Sequence, residues 1–133
     1  EEKGYTYGIS AGMMPYPGKG LLVVNAETAN EFVEPLIGEV YHEIDRLQNE
    51  LVSNEELTMV KNYMLGDTYR SYESAFSLAD SWIFVQVSKL QDTYFTDVLD
   101  AIREVTPEEI RNLAGKHLCK EILKEVISGK KMS

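Results

Sequence analysis

The side chains with which this chain could do chemistry are few and dispersed. There are two histidines, one cysteine, a glutamate series, a tyrosine group beside an arginine, and short glycine pairs. His42 sits in Glu39-Val40-Tyr41-His42-Glu43, with carboxylates at helical spacing. A zinc pair on a helix needs two histidines on one face and a third ligand elsewhere. Position 39 is glutamate and the other histidine is His117, so His42 reads as a solvated helix residue. Cys119 would need a nearby base to act as a nucleophile. His117, two residues away, lies on a different side of a helix, and a buried structural thiol is expected instead. Glu34, Glu39, Glu43 and Glu50 read as a solvated face rather than an acid–base pair. Tyr63, Tyr69 and Tyr72 with Arg70 leave two roles open, the lining of a peptide groove or partial burial between helices. Gly4 with Gly8 and Gly18 with Gly20 do not join a strand to a helix, as a phosphate loop must, and belong to turns.

Composition narrows the class. At 133 residues the chain fits one domain, residues 1–133, large enough to hold a core. Its 44% hydrophobic content excludes a disordered chain. The net charge of -9 repels phosphate backbones and anionic lipids, so neither nucleic acid nor membrane insertion is expected. A single cysteine excludes an internal disulfide and leaves the redox compartment open. No apolar run reaches the ~18–20 residues that span a bilayer. No signal peptide is visible, and a chain opening at Glu1 without methionine reads as part of a longer one. A soluble protein is expected, cytoplasmic or periplasmic if bacterial.

The elements that must position these residues follow from periodicity. Residues 4–13 alternate: Tyr5, Tyr7, Ile9 and Ala11 fall on one strand face, Thr6, Gly8, Ser10 and Gly12 on a nearly bare other face. The bare side would admit another backbone or a helix. A turn over Pro15-Tyr16-Pro17-Gly18-Lys19-Gly20 leads to a second strand, Leu21 to Ala26, whose continuous apolar run predicts cover on both faces. The two strands form an antiparallel hairpin. A capping box, Thr28 with Glu31, predicts a helix carrying Phe32, Leu36, Ile37, Val40, Ile44, Leu47 and Leu51 inward, with Pro35 kinking its start. Ser53 with Glu56 starts a second helix with Leu57, Val60 and Met64 as its stripe, weakened late by Gly66. A third helix spans Ser74 to Leu90 with Phe76, Ala79, Trp82, Ile83 and Leu90 inside, and a fourth Thr93 to Arg103 with Phe95, Val98, Leu99 and Ile102. Thr106-Pro107-Glu108-Glu109 is the sharpest local signal, a cap, a proline at the first helical position and a closing glutamate. Ile110, Leu113, Ala114 and Leu118 follow on that helix. Ile122 to Ser128 reads as a last strand, followed by Gly129 and the basic pair Lys130-Lys131. The order predicts an α+β fold, an antiparallel sheet with helices on one face.

Glu2-Lys3-Gly4-Tyr5-Thr6-Tyr7-Gly8-Ile9, Glu43-Ile44-Asp45-Arg46-Leu47, and Ser53-Asn54-Glu55-Glu56-Leu57 with Val60-Lys61-Asn62-Tyr63 carry a resemblance. Val105-Thr106-Pro107-Glu108-Glu109-Ile110, Ala114 and the end from Val126 to Gly129 extend it in order. Together they resemble the later part of the C-terminal domain of the M16 (pitrilysin, insulinase and mitochondrial processing peptidase-like) zinc metallopeptidases. The resemblance implies two similar domains closing like a clamshell. The first carries an inverted His-Glu-His zinc motif; the second lacks the metal and helps hold the peptide. It implies no cofactor in this chain and zinc in the other domain. It implies as partners an extended peptide or unfolded polypeptide, and a zinc-bearing M16 domain in the same chain or a partner subunit. In active members an Arg and a Tyr of the second domain reach the scissile carbonyl. Tyr7 matches that Tyr as carbonyl or oxyanion donor, whereas the matching Arg would lie before Glu1. From the residues alone Tyr7 is a packed strand aromatic. The functional expectation is therefore the non-zinc, substrate-holding half of an M16-type endopeptidase, inactive alone. The alternatives are a non-catalytic structural or substrate-recruiting subunit of the same fold, or an unrelated small binding module.

Overall fold

A computed structural model describes residues 4–16 and 18–129. The opening Glu1 to Lys3, Pro17 and the basic pair Lys130-Lys131 lie outside the described residues. The elements run β1 (Gly8–Tyr16), β2 (Lys19–Glu27), a 3-10 turn (Asn30–Phe32), α1 (Val33–Asn49), α2 (Asn54–Arg70), α3 (Ala75–Val87), α4 (Tyr94–Glu104), α5 (Pro107–His117) and a second 3-10 turn (Lys120–Ile122). The fold is mixed α+β. Its two strands pair antiparallel, from Gly8 opposite Glu27 to Tyr16 opposite Lys19.

The hairpin is longer than its periodicity implies. Pro15 and Tyr16 stay in β1, and Pro15 pairs with Gly20. A two-stranded ribbon has only edge strands, where a missing N–H is tolerated. Between Tyr16 and Lys19, Gly18 supplies a left-handed backbone at φ +73°. The expected cover on both faces of β2 is not present: within Lys19–Glu27 only Val23 is half-buried. The bare side of β1 is open as well, since a Cβ added at Gly8 or Gly12 would meet nothing within 4 Å.

Three of the five helices start on a side-chain cap, and Thr93 before α4 makes no such bond. Ser53 Oγ accepts from Glu56 N at 3.1 Å, and Ser74 Oγ accepts from Ser77 N at 3.0 Å. Thr106 and Glu109 close a reciprocal box, with Thr106 N donating to Glu109 Oε2 at 2.8 Å and Glu109 N to Thr106 Oγ1 at 3.2 Å. The Thr28–Glu31 box is the exception. The chain turns there through Asn30–Phe32, capped at Ala29 without a side-chain bond. The Thr28 hydroxyl donates instead to Tyr5 O, a tertiary acceptor that local spacing cannot reveal. Pro35 falls in the first turn of α1, where its absent N–H leaves no helical bond unmade.

The chain divides into two compact units, residues 1–49 with 114–133 and residues 50–113. In the first, Ile44 and Ala114 are buried. Gln48 Nε2 donates to Leu118 O at 3.0 Å, Lys120 Nζ pairs with Asp45 Oδ2 at 2.7 Å, and the Tyr41 hydroxyl donates to Glu125 Oε1 at 2.7 Å. These bonds lay the segment after α5 along α1. The expected strand from Ile122 to Ser128 does not form: Ile122 ends the second 3-10 turn, Glu125 accepts from Tyr41 of α1, and no third strand pairs among the described residues. In the second unit Leu57, Val85 and Ile102 are buried. Lys61 Nζ donates to Arg103 O at 2.8 Å, tying α2 to the last turn of α4. α4 turns Phe95, Val98, Leu99 and Ile102 inward as its periodicity predicts. α2 runs through Gly66 to Arg70 unbroken, with Leu57 buried but Val60 and Met64 exposed. α3 ends at Val87 and buries Val85 rather than the expected set. Phe76 is 85% exposed and Trp82 and Ile83 are also exposed. A helix apolar on every side gives no periodic cue to its inner face.

Candidate functional site

The segment leading into β1 is held by a cluster of short side chains. Gly8 N donates to Thr6 Oγ1 at 3.1 Å, two residues back, a hydroxyl-closed turn with Tyr7 at its centre. The same hydroxyl lies 2.7 Å from Gly8 O and 2.6 Å from Glu27 O, so its one proton is donated to either carbonyl. Thr6 thereby extends the β1–β2 pairing past its last ladder partners, Gly8 and Glu27. From the other side Thr28 Oγ1 donates to Tyr5 O. The Tyr5 ring stacks on Phe32, centroids 5.5 Å apart. Tyr5 and Thr6, which precede Tyr7, are thus anchored and half-buried, while Tyr7 is 99% exposed.

A phenol so placed makes no core contact, unlike the packed strand aromatic read from periodicity alone. Its hydroxyl can donate one proton to an incoming carbonyl oxygen. Thr6 and Thr28 were not singled out by spacing. Thr6 looked like a small residue on a bare face and Thr28 like a helix cap. The threonine two residues before Gly8 is the local signal for the turn.

The other candidates are dispersed. His42 and His117 are both exposed. Cys119 is half-buried rather than enclosed, its Sγ 3.7 Å from Gly115 O. Tyr63 stands 70% exposed on α2. Tyr69 receives Arg103 Nη2 at 2.8 Å, and Arg103 also holds Asp100 at 2.9 Å. Arg70 pairs with Asp67 at 3.3 Å. Tyr72 packs edge-on against Phe95 at 5.1 Å. Burial raises its pKa above the ordinary tyrosine value; nearby Tyr94 adds to the rise and Ser71 opposes it. The tyrosines therefore split between solvent and an aromatic cluster, and Arg70 is engaged locally. Glu43 pairs with Arg46 at 3.0 Å on an exposed helix face.

Metal donors do not converge. Among the described residues no group of three or more His, Cys, Asp or Glu could hold an ion. Among the described residues no helix is long and apolar enough to cross a membrane.

Residues 1–64 match the family model described as the peptidase M16 inactive domain. The match includes Tyr7, the hairpin, α1 and most of α2; the stretches from Val105 onward lie outside it. No curated protein sequence matches the chain. The matched stretch, carried on an α+β fold, supports an M16 C-terminal domain fragment.

Proposed function

We propose that this chain holds extended peptide substrate for an M16-type zinc endopeptidase and presents Tyr7 to the scissile carbonyl. Its partners in this reading are an extended or unfolded polypeptide and a zinc-bearing M16 domain, in the same chain or a partner subunit. The carrying observation is the placement of Tyr7: inside the matched stretch, fully exposed, on a backbone tied at both neighbours. The two-stranded ribbon adds support. A substrate in extended conformation can pair its main chain with an exposed strand edge and gain affinity without sequence demands.

The chemistry asked of the chain is modest. As the scissile carbonyl becomes tetrahedral, negative charge gathers on its oxygen. A phenol held in advance where that charge develops stabilises the transition state more than the ground state. Bringing the donor in on a separate domain couples its arrival to closure over substrate and excludes water as it arrives.

The test is Tyr7→Phe in the peptidase assembled with its zinc-bearing domain. Loss of one oxyanion donor lowers kcat by about 10²–10³, with KM little changed. An unchanged kcat in a folded variant overturns the proposal.

A further inference from the structure

We propose that Thr6 and Thr28 are positioning residues that set the direction in which Tyr7 is presented to substrate, an inference that rests on the reading of Tyr7 as the carbonyl donor. An exposed tyrosine samples several side-chain rotamers, and a loop backbone multiplies the directions open to it. Here the backbone part of that freedom is removed on both sides of Tyr7. On one side Thr6 Oγ1 accepts from Gly8 N at 3.1 Å and reaches Glu27 O at 2.6 Å, locking the turn to the end of β2. On the other, Thr28 Oγ1 holds Tyr5 O while the Tyr5 ring rests on Phe32. Both anchors are side-chain hydroxyls that reach main-chain carbonyls across the hairpin. Both lie on half-buried residues, whereas the residue between the anchored pair is bare. Gly4, just before this clasp, has a left-handed backbone at φ +63°.

The arrangement matches what a transition-state donor requires. A hydroxyl misplaced by about 1 Å forfeits up to about 100-fold in rate even when all its chemistry is intact. Losing the clasp should therefore lower turnover without touching substrate affinity.

The experiment compares Thr6→Val with Thr6→Ser in the peptidase assembled with its zinc-bearing domain. Valine keeps the shape and removes the hydroxyl; serine keeps the hydroxyl. Thr6→Val is expected to lower kcat about 10- to 100-fold with KM within about twofold, and Thr6→Ser to retain most of the rate. In a Tyr7→Phe background the same valine should cost almost nothing further, because there is no donor left to aim. Should Thr6→Val fail to fold, Thr28→Val against Thr28→Ser makes the same comparison from the opposite anchor. A full rate for Thr6→Val, beside a loss for Tyr7→Phe, overturns the positioning role and leaves the donor standing. A loss for Thr6→Val that persists in the Tyr7→Phe background assigns the threonine to stability and also overturns it. A silent Tyr7→Phe removes the donor and the clasp's purpose together.

Discussion

Tyr41 is half-buried on α1 and donates its hydroxyl to Glu125 Oε1 at 2.7 Å, across 84 residues of chain. Lys120 sits 5.7 Å over the same ring and pairs with Asp45. The hydrogen bond to the Glu125 carboxylate, then burial, then the carboxylate's charge raise the Tyr41 pKa above its ordinary value. The fold thus favours the neutral phenol. Its contribution to stability is complete below the unfolded tyrosine value of about 10 and is lost as pH rises through the higher folded value. The stability difference between wild type and Tyr41→Phe should therefore shrink between pH 8 and the tyrosine titration range, read from denaturant midpoints. A difference that stays constant would remove the bond to Glu125 from the account. No periodicity links positions 41 and 125, and the sequence marked Tyr41 only as a neighbour of His42. Tyr7 is the reverse case: the family stretch singles it out, but the Thr6 and Thr28 bonds to the chain around it leave no sign in the sequence. Contacts between distant side chains leave no spacing to read.

At the scale of elements, three threonine or serine boxes share one pattern, and two of them form. Thr106 and Glu109 satisfy each other's backbone donors, and Ser53 caps α2. Thr106→Ala should cost about 1 kcal/mol in urea unfolding, the usual penalty for a lost cap. Glu31→Ala should cost near nothing by the same measurement, because Thr28 is engaged with Tyr5 O and no box exists there to lose. A Glu31→Ala penalty equal to that of Thr106→Ala would mean that the first box forms in solution. The helices were legible because their apolar stripes repeat every 3.6 residues, and α4 places its four inward residues as that period requires. Strand ends were not legible. Pro15 reads as a breaker in sequence, yet β1 runs past it because a free edge needs no donor there. The final strand is a second case. Ile122 to Ser128 has strand composition, but Ile122 ends a 3-10 turn and Glu125 is bonded to Tyr41 of α1.

Across the whole molecule, exposed apolar surface is the dominant physical fact. Among the described residues Val85 is the one fully buried large side chain, while Met13, Leu21 and Val24 on the hairpin and Phe76, Ile83 and Val87 on α3 stand open to solvent. Phe76, Ile83 and Val87 share the side of α3 opposite Val85, so burying Val85 forces them outward. Exposed apolar residues grouped on one element are candidates for an interaction face. The M16 match suggests pairing with a catalytic domain of the same family. If that domain covers part of this surface, a hydrophobic dye such as ANS should fluoresce strongly with the chain alone and weakly once the zinc-bearing domain is added. Cleavage should follow the same mixing. The chain alone, given zinc, should cleave nothing, since its described side chains gather no donor set for the ion. Cleavage that appears on mixing with no fall in dye fluorescence would place the docking contact on the polar surface instead. Zinc-dependent cleavage by the chain alone would overturn the division of labour itself, because metal and donor would then share one domain.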